Sequence, residues 1–141
     1  MRFLEFTIPG EAIGKGRPRF ASINGRARIY TPSKTMSYEQ LAGHYAKNAM
    51  LKSGRKVTYG PIVLDFCTWR KIPSSWSLKD KAAALAGEIV PSVKPDIDNF
   101  IKIICDALNG IVWIDDKQVV QVNAAKLYSD NPRTDITVST R

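Results

Sequence analysis

Leu4, Phe6 and Ile8 alternate with Phe3, Glu5 and Thr7, the two-residue period of a half-buried strand, and Pro9-Gly10 stops it. Residues 10–19 make a loop rich in Gly, Lys and Arg. Asn24-Gly25 then joins residues 20–23 to 26–30, the sequence of a tight hairpin turn. Ser33, after Thr31-Pro32, is an N-cap for a helix to about Leu51, which Ser53-Gly54 ends. Residues 62–69 predict a strand with Ile62, Leu64 and Phe66 on one face. Ser77 with Asp80 at the third position starts a short helix over 78–86, stopped by Gly87. After a loop over 88–95, Ile97, Phe100, Ile101, Ile104 and Leu108 fall at helical spacing, predicting a helix over 98–108 with those residues toward the core. Asn109-Gly110 ends it, residues 111–114 read as short and extended, and Asp115-Asp116 as a turn. Residues 119–127 and 135–138 read as two final strands joined by Ser129-Asp130-Asn131-Pro132. There are no internal repeats. The order β, hairpin, α, β, α, α, β, β predicts an α+β fold: one domain over 1–141, a mixed sheet packed by helices, with a basic N-terminal hairpin.

Composition narrows the functional classes. A chain of 141 residues, 44% hydrophobic, suits one core. No apolar run approaches the roughly 18–20 residues of a membrane span, and the charged, alternating N-terminus does not read as a signal peptide, so the expected location is the cytoplasm. Cys67 and Cys105 sit far apart in apolar segments, which reads as buried thiols rather than a disulfide. His44 is the only histidine, so zinc sites built on Cys and His clusters are excluded. The net charge of +8 is uneven: residues 1–60 carry 11 Lys or Arg against 3 Glu, whereas residues 61–141 carry 10 of each sign. Such asymmetry points to a polyanionic partner, with nucleic acid ahead of membrane because no amphipathic anchor is evident.

Most carboxylates lie in the C-terminal part. Asp96 and Asp98 flank Ile97 at a loop-to-helix junction, and Asp115-Asp116 follow the same helix. Hard divalent ions take oxygen ligands, so if the chain after the helix runs back along it, a third carboxylate joins the first two in a Mg²⁺ site. Such an ion polarises a phosphate and activates water. Asp98, Lys102 and Asp106 are spaced four apart along one helix edge, which would put Lys102 one turn from the metal and against the scissile phosphate. The plainer reading makes Asp96 an N-cap and the other three a surface ion-pair ladder, worth a few tenths of a kcal/mol per pair.

The run Lys94-Pro95-Asp96-Ile97-Asp98-Asn99-Phe100-Ile101-Lys102, then Asp106-Ala107-Leu108-Asn109-Gly110, then Trp113-Ile114-Asp115-Asp116-Lys117-Gln118-Val119 resembles the signature of RusA-type Holliday junction resolvases, over 26 contiguous residues. Gly14-Lys15-Gly16-Arg17-Pro18-Arg19-Phe20 and Ile72-Pro73-Ser74-Ser75-Trp76 are similar to the phage and prophage branch of that family. The resemblance implies a Mg²⁺-dependent endodeoxyribonuclease, with Mn²⁺ as a substitute and no small-molecule cofactor. Asp96, Asp98 and Asp116 would be the catalytic metal ligands, Asp115 a near neighbour, Lys102 the essential lysine, and Asp106 a support for the helix. It further implies a homodimer that cuts a four-way DNA junction symmetrically in recombination and repair. Some relatives carry a basic residue directly before the first aspartate; here Pro95 takes that place and Lys94 stands one earlier.

Lys15, Arg17 and Arg19 alternate, as do Arg26 and Arg28 across the Asn24-Gly25 turn, so a hairpin with both sets on one face becomes a basic ribbon along phosphates. The other reading is an edge hairpin whose charges block strand addition. Tyr30 reads as packing or rim, Trp69, Trp76 and Trp113 as core or interface residues, and His44 as a surface residue. Two other functions stay open: a nuclease for flaps or forks, and a non-catalytic nucleic-acid-binding module.

Overall fold

The computed structural model describes the backbone of residues 1–14, 19–23, 26–30 and 33–141, and the side chains of 1–14 and 37–141. Strands β1 (Arg2–Pro9), β4 (Ile62–Lys71), β5 (Val119–Ser129) and β6 (Arg133–Thr140) form a mixed sheet in the order β1-β6-β4-β5. β6 is antiparallel to both β1 and β4, whereas β4 and β5 run parallel. A parallel pair needs a crossover, and α2 (Leu78–Leu85) and α3 (Ile97–Leu108) lie in the connection. β2 (Arg19–Ile23) and β3 (Arg26–Tyr30) form a separate two-stranded ribbon ahead of α1 (Ser33–Ser53). The α+β architecture, its mixed sheet and its N-terminal hairpin are as the sequence predicts. The Asn24-Gly25 turn itself lies outside the described residues.

Alternation explains the sheet. Leu4 and Ile8, then Ile62, Leu64 and Phe66, then Ile136 and Val138 are buried under α1 and α3. α3 is strongly amphipathic, with Phe100, Ile103, Ile104 and Leu108 fully buried. Full burial of each such side chain is worth about 1.5–3 kcal/mol, enough to fix how the helix is rotated. Its apolar stripe lies slightly differently from the sequence reading. Ile97 is 37% exposed and Ile103 takes its place in the core, because the face pressed on the sheet runs through 100, 103, 104, 107 and 108. With that face fixed, Asp98, Lys102 and Asp106 are left in solvent.

Caps follow the sequence closely. Ser77 Oγ accepts from the Asp80 amide at 3.1 Å, and Asn109 ends α3 with Gly110 at φ +79°. One expected element is absent among the described residues. Residues 111 and 112 form a turn, their amides both bonding back to the Leu108 carbonyl, and of the expected extended piece only Trp113 makes β-bridges, to Thr58 and Asn109. Trp113 then drops fully into the core and donates its indole N–H to Asn109 Oδ1 at 2.6 Å. Trp69 lies half-buried on the sheet face away from the helices, and Trp76 packs edge-on against Tyr128. Both cysteines are free. Burial pushes their thiols up to about 11 (Cys67) and about 12 (Cys105), so both are protonated at neutral pH.

Candidate active site around helix α3

The start of α3 is pinned from below. Lys126, on the helix-covered face of β5, donates Nζ–H bonds to the carbonyls of Val93 (2.9 Å) and Pro95 (3.1 Å), the residues leading into Asp96. Arg70 of β4 places its guanidinium 5.2 Å from the centre of the Phe100 ring and donates to the Ala12 carbonyl at 2.6 Å. Glu11 ties the same segment to β4, accepting from the Lys71 amide at 2.7 Å and from Arg70 at 3.4 Å. Residues 11–14 are thereby laid against the first turn of α3.

Gly14 marks the contact. A Cβ built on it would lie 2.7 Å from Pro95 Cβ and 3.3 Å from Asn99 Cβ. Only a residue without a side chain lets the backbone pass so close to the junction that carries Asp96 and Asp98. The pyrrolidine ring cannot rotate away, so Gly14→Ala is expected to push the loop off α3. Overpacking of this kind costs about 1–3 kcal/mol. Urea unfolding and junction binding, measured together, check this: affinity should fall more than the loss of stability explains, and an unchanged affinity would refute the role of the contact.

Asp96 occupies the N-cap position with extended backbone (φ −66°, ψ 151°), yet its side chain makes no capping hydrogen bond. Asp96, Asp98 and Lys102 are exposed, and none of their side chains has a hydrogen-bond or ion-pair partner among the described residues. The surface ladder therefore does not form at Lys102. Lys94 is exposed in the preceding loop. Lys15 and Arg17 lie outside the described residues. Arg19, Arg26 and Arg28 are described as backbone only, with Arg19 paired to Tyr30, Arg28 to Ala21 and Arg26 to Ile23 in the ribbon.

The second acidic group is held by Gln118. Its side-chain oxygen accepts from the Ile114 amide (2.8 Å) and the Asp115 amide (3.1 Å), and its amide donates to the carbonyls of Thr58 (2.9 Å) and Gly60 (3.1 Å). Asp115 caps the short 3₁₀ turn Asp116–Gln118 by accepting from the Lys117 amide at 3.0 Å, which completes a capping box. The Asp-x-x-Gln spacing is the sequence signal that could have found Gln118. No local signal marks Lys126 or Arg70, whose roles arise only when distant segments meet.

Asp115 and Asp116 shift each other's titration in opposite directions. The Lys117 amide, and then a hydrogen bond from Asp116, hold Asp115 below the ordinary aspartate value. Asp116 is raised by the hydrogen bond to Asp115, by desolvation, and by repulsion from Asp115 and Asp106. Repulsion from Asp116 and Asp106 also adds to the rise at Cys105. The chain after α3 thus brings Asp116 alongside the third turn of the helix, near Cys105 and Asp106. Asp98 stands eight residues before Asp106, about 12 Å along the axis. Among the described residues, no three His, Cys, Asp or Glu side chains are grouped closely enough to hold a metal ion. The donors fit a hard cation in kind, since all are exposed carboxylates. Asp96 and Asp98 lie at the start of α3, whereas Asp116 lies beside Asp115 and feels the charge of Asp106. No described helix is long and apolar enough to cross a membrane.

Comparison with known proteins identifies the family. The family model described as Endodeoxyribonuclease RusA matches residues 9–139. "Uncharacterized protein YqaN" of Bacillus subtilis (strain 168) is 34% identical over 140 residues, covering 98% of this chain and 96% of that protein. With the acidic helix, its pinned junction and the Gly14 loop all inside the matched span, the chain belongs to the RusA family of endodeoxyribonucleases.

Proposed function

We propose that the protein is a Mg²⁺-dependent Holliday junction resolvase that cuts phosphodiester bonds symmetrically, as a homodimer, in the cytoplasm and in the service of DNA recombination and repair. One observation carries this reading: Asp96, Asp98 and Lys102 stand exposed and without a side-chain partner among the described residues, on the first half of a helix whose other face is buried in the core. Unpaired charges held on a rigid element suit a ligand better than they suit stability. Asp96, Asp98 and Asp116 would hold the ion, with Asp115 beside them, and Mn²⁺ would serve in its place. The ion would supply Lewis acidity toward a phosphate oxygen and a more acidic water. Lys102 would meet the charge that builds on the phosphate. Lys15, Arg17, Arg19, Arg26, Arg28 and Lys94 would hold flanking backbone. A two-fold pair of chains would present one site to each of two opposed strands, matching the symmetry of a four-way junction.

The test is incision mapping on a synthetic mobile junction, a flap and a linear duplex, with Mg²⁺ and with EDTA. Paired cuts at symmetric positions on opposed strands of the junction alone, lost in EDTA, are expected. Equal cutting of flaps would replace the junction reading with that of a general branched-DNA nuclease. Salt-sensitive binding without any Mg²⁺-dependent nicking would leave only a binding module.

A further inference from the structure

Two grooves on the α3 side of α1 share Lys47 and Ile111, a third lies on the opposite, β1 side of the helix, and they meet at Arg55, so together they form a track that turns around the C-terminal end of α1. The first, about 440 Å³, lies between α1 and the third turn of α3 and is lined by Asp106, His44, Lys47 and Ile111 among others. Lys47 and Ile111 also line the second, about 340 Å³, together with Arg55 and Lys56. Arg55 continues into the third, about 650 Å³, which follows β1 and includes Lys52 and Arg2. The track begins at the acidic group and becomes basic as it leaves. Lys47, Lys52, Arg55, Lys56 and Arg2 are all exposed. The acids along it are Glu39 and Asp106 at the start and Glu5 at the end, where Glu5 pairs with Arg2 at 3.1 Å.

A solvated helix end accounts for part of this. Lys52 lies in the last turn of α1, where a cation offsets the helix dipole. Arg55 and Lys56 lie beyond Gly54, at φ +69°, and get no such benefit. The Arg55 guanidinium sits 5.1 Å from the Phe3 ring centre, and its N–H groups have no acceptor among the described residues. A guanidinium held over an aromatic ring, with N–H groups unclaimed among the described residues, is preorganised for phosphate oxygens.

We propose that this track binds the phosphate backbone of a DNA arm as it runs from the acidic helix toward β1, a placement that rests on the reading of that helix as the cutting site. The test compares Arg55→Gln/Lys56→Gln with Lys79→Gln/Lys81→Gln, an equal charge loss on α2, on junctions with arms of about 6 and about 20 base pairs. On long arms the track variant should bind about tenfold more weakly, with the slope of log K against log salt reduced by about 1–2. On short arms it should match the wild type, and the α2 variant should match it on both. Lys47→Gln, which leaves Phe3 untouched, should show a smaller loss of the same kind and guards against a folding defect. A loss that ignores arm length, a loss equal to that of the α2 variant, or no loss overturns the proposal. Wild-type cleavage is measured alongside. If nothing is cut but the arm-length effect holds, the nuclease reading falls and the track stands; if cutting is intact and the effect is absent, the track falls alone.

Discussion

Asp98→Asn is expected to slow cleavage of a four-way junction by on the order of 10³ or more, equivalent to about 4 kcal/mol of transition-state stabilisation, while junction affinity stays level or rises. The asymmetry follows from where the side chain stands. Asp98 is exposed in the first turn of α3 with no protein partner among the described residues, so no internal contact is lost. The amide is isosteric, and the cost to the fold is the lost attraction between a carboxylate and the helix N-terminus, about 0.3–1 kcal/mol. A negative charge is removed from beside the DNA, which favours binding. Single-turnover cleavage and equilibrium binding on the same junction separate the two effects. Cutting at the wild-type rate would remove Asp98 from the site.

Trp113→Ala is expected to have the largest effect on stability. The side chain is fully buried, and its indole N–H satisfies Asn109 at the end of α3. Truncating a buried Trp costs about 3–5 kcal/mol, a large share of the roughly 5–15 kcal/mol that holds a domain together. The midpoint of thermal unfolding should fall by on the order of 10–20 °C. Trp113 also sits two residues before Asp115, and the Thr58 amide bonds the neighbouring Val112 carbonyl at 3.0 Å. Amide exchange at 114–118 should therefore accelerate more than in the β4–β6 pair. A loss below about 1 kcal/mol would mean that the cavity collapses freely and that Trp113 is not the anchor of the acidic turn.

Local chemistry made much of this legible. The alternation in β1 and β4, the Ser77 cap, the Asn109-Gly110 stop and the apolar stripe of α3 each depend on neighbours within a few residues, and the structure has them where the sequence predicts. The misplacement of Ile97 has a specific cause. Stripes through 97, 100, 101 and 104 and through 100, 103, 104 and 107 share the same helical period, and only the surface beneath decides between them. Residues 111–114 looked extended because their side chains are apolar, and β-branched apart from Trp113; the backbone instead turns at 111 and 112, leaving Trp113 buried and bridged to Thr58. The acidic residues were visible as types, but their grouping was not. Asp116 is set by Gln118 reaching the 58–60 segment, and Asp96 by Lys126 reaching across from β5, both contacts over long stretches of chain. A lysine within a strand carries no mark that distinguishes an anchor from a solvated residue.

The position of β6 between β1 and β4 has a consequence for how the protein is assembled. β1 touches the sheet only through a partner more than a hundred residues away, as in the pairing of Glu5 with Thr137. Closing so long a loop adds little to its entropic cost, which grows only logarithmically, but contacts of such range slow the search for the native state. Neither β1 nor the edge of β4 that pairs with β6 has its neighbour until β6 docks, so the sheet under α3 is incomplete without the last strand of the chain. A nascent or partly unfolded chain would then carry the basic segments without a finished cutting centre, and would hold nucleic acid before it could damage it.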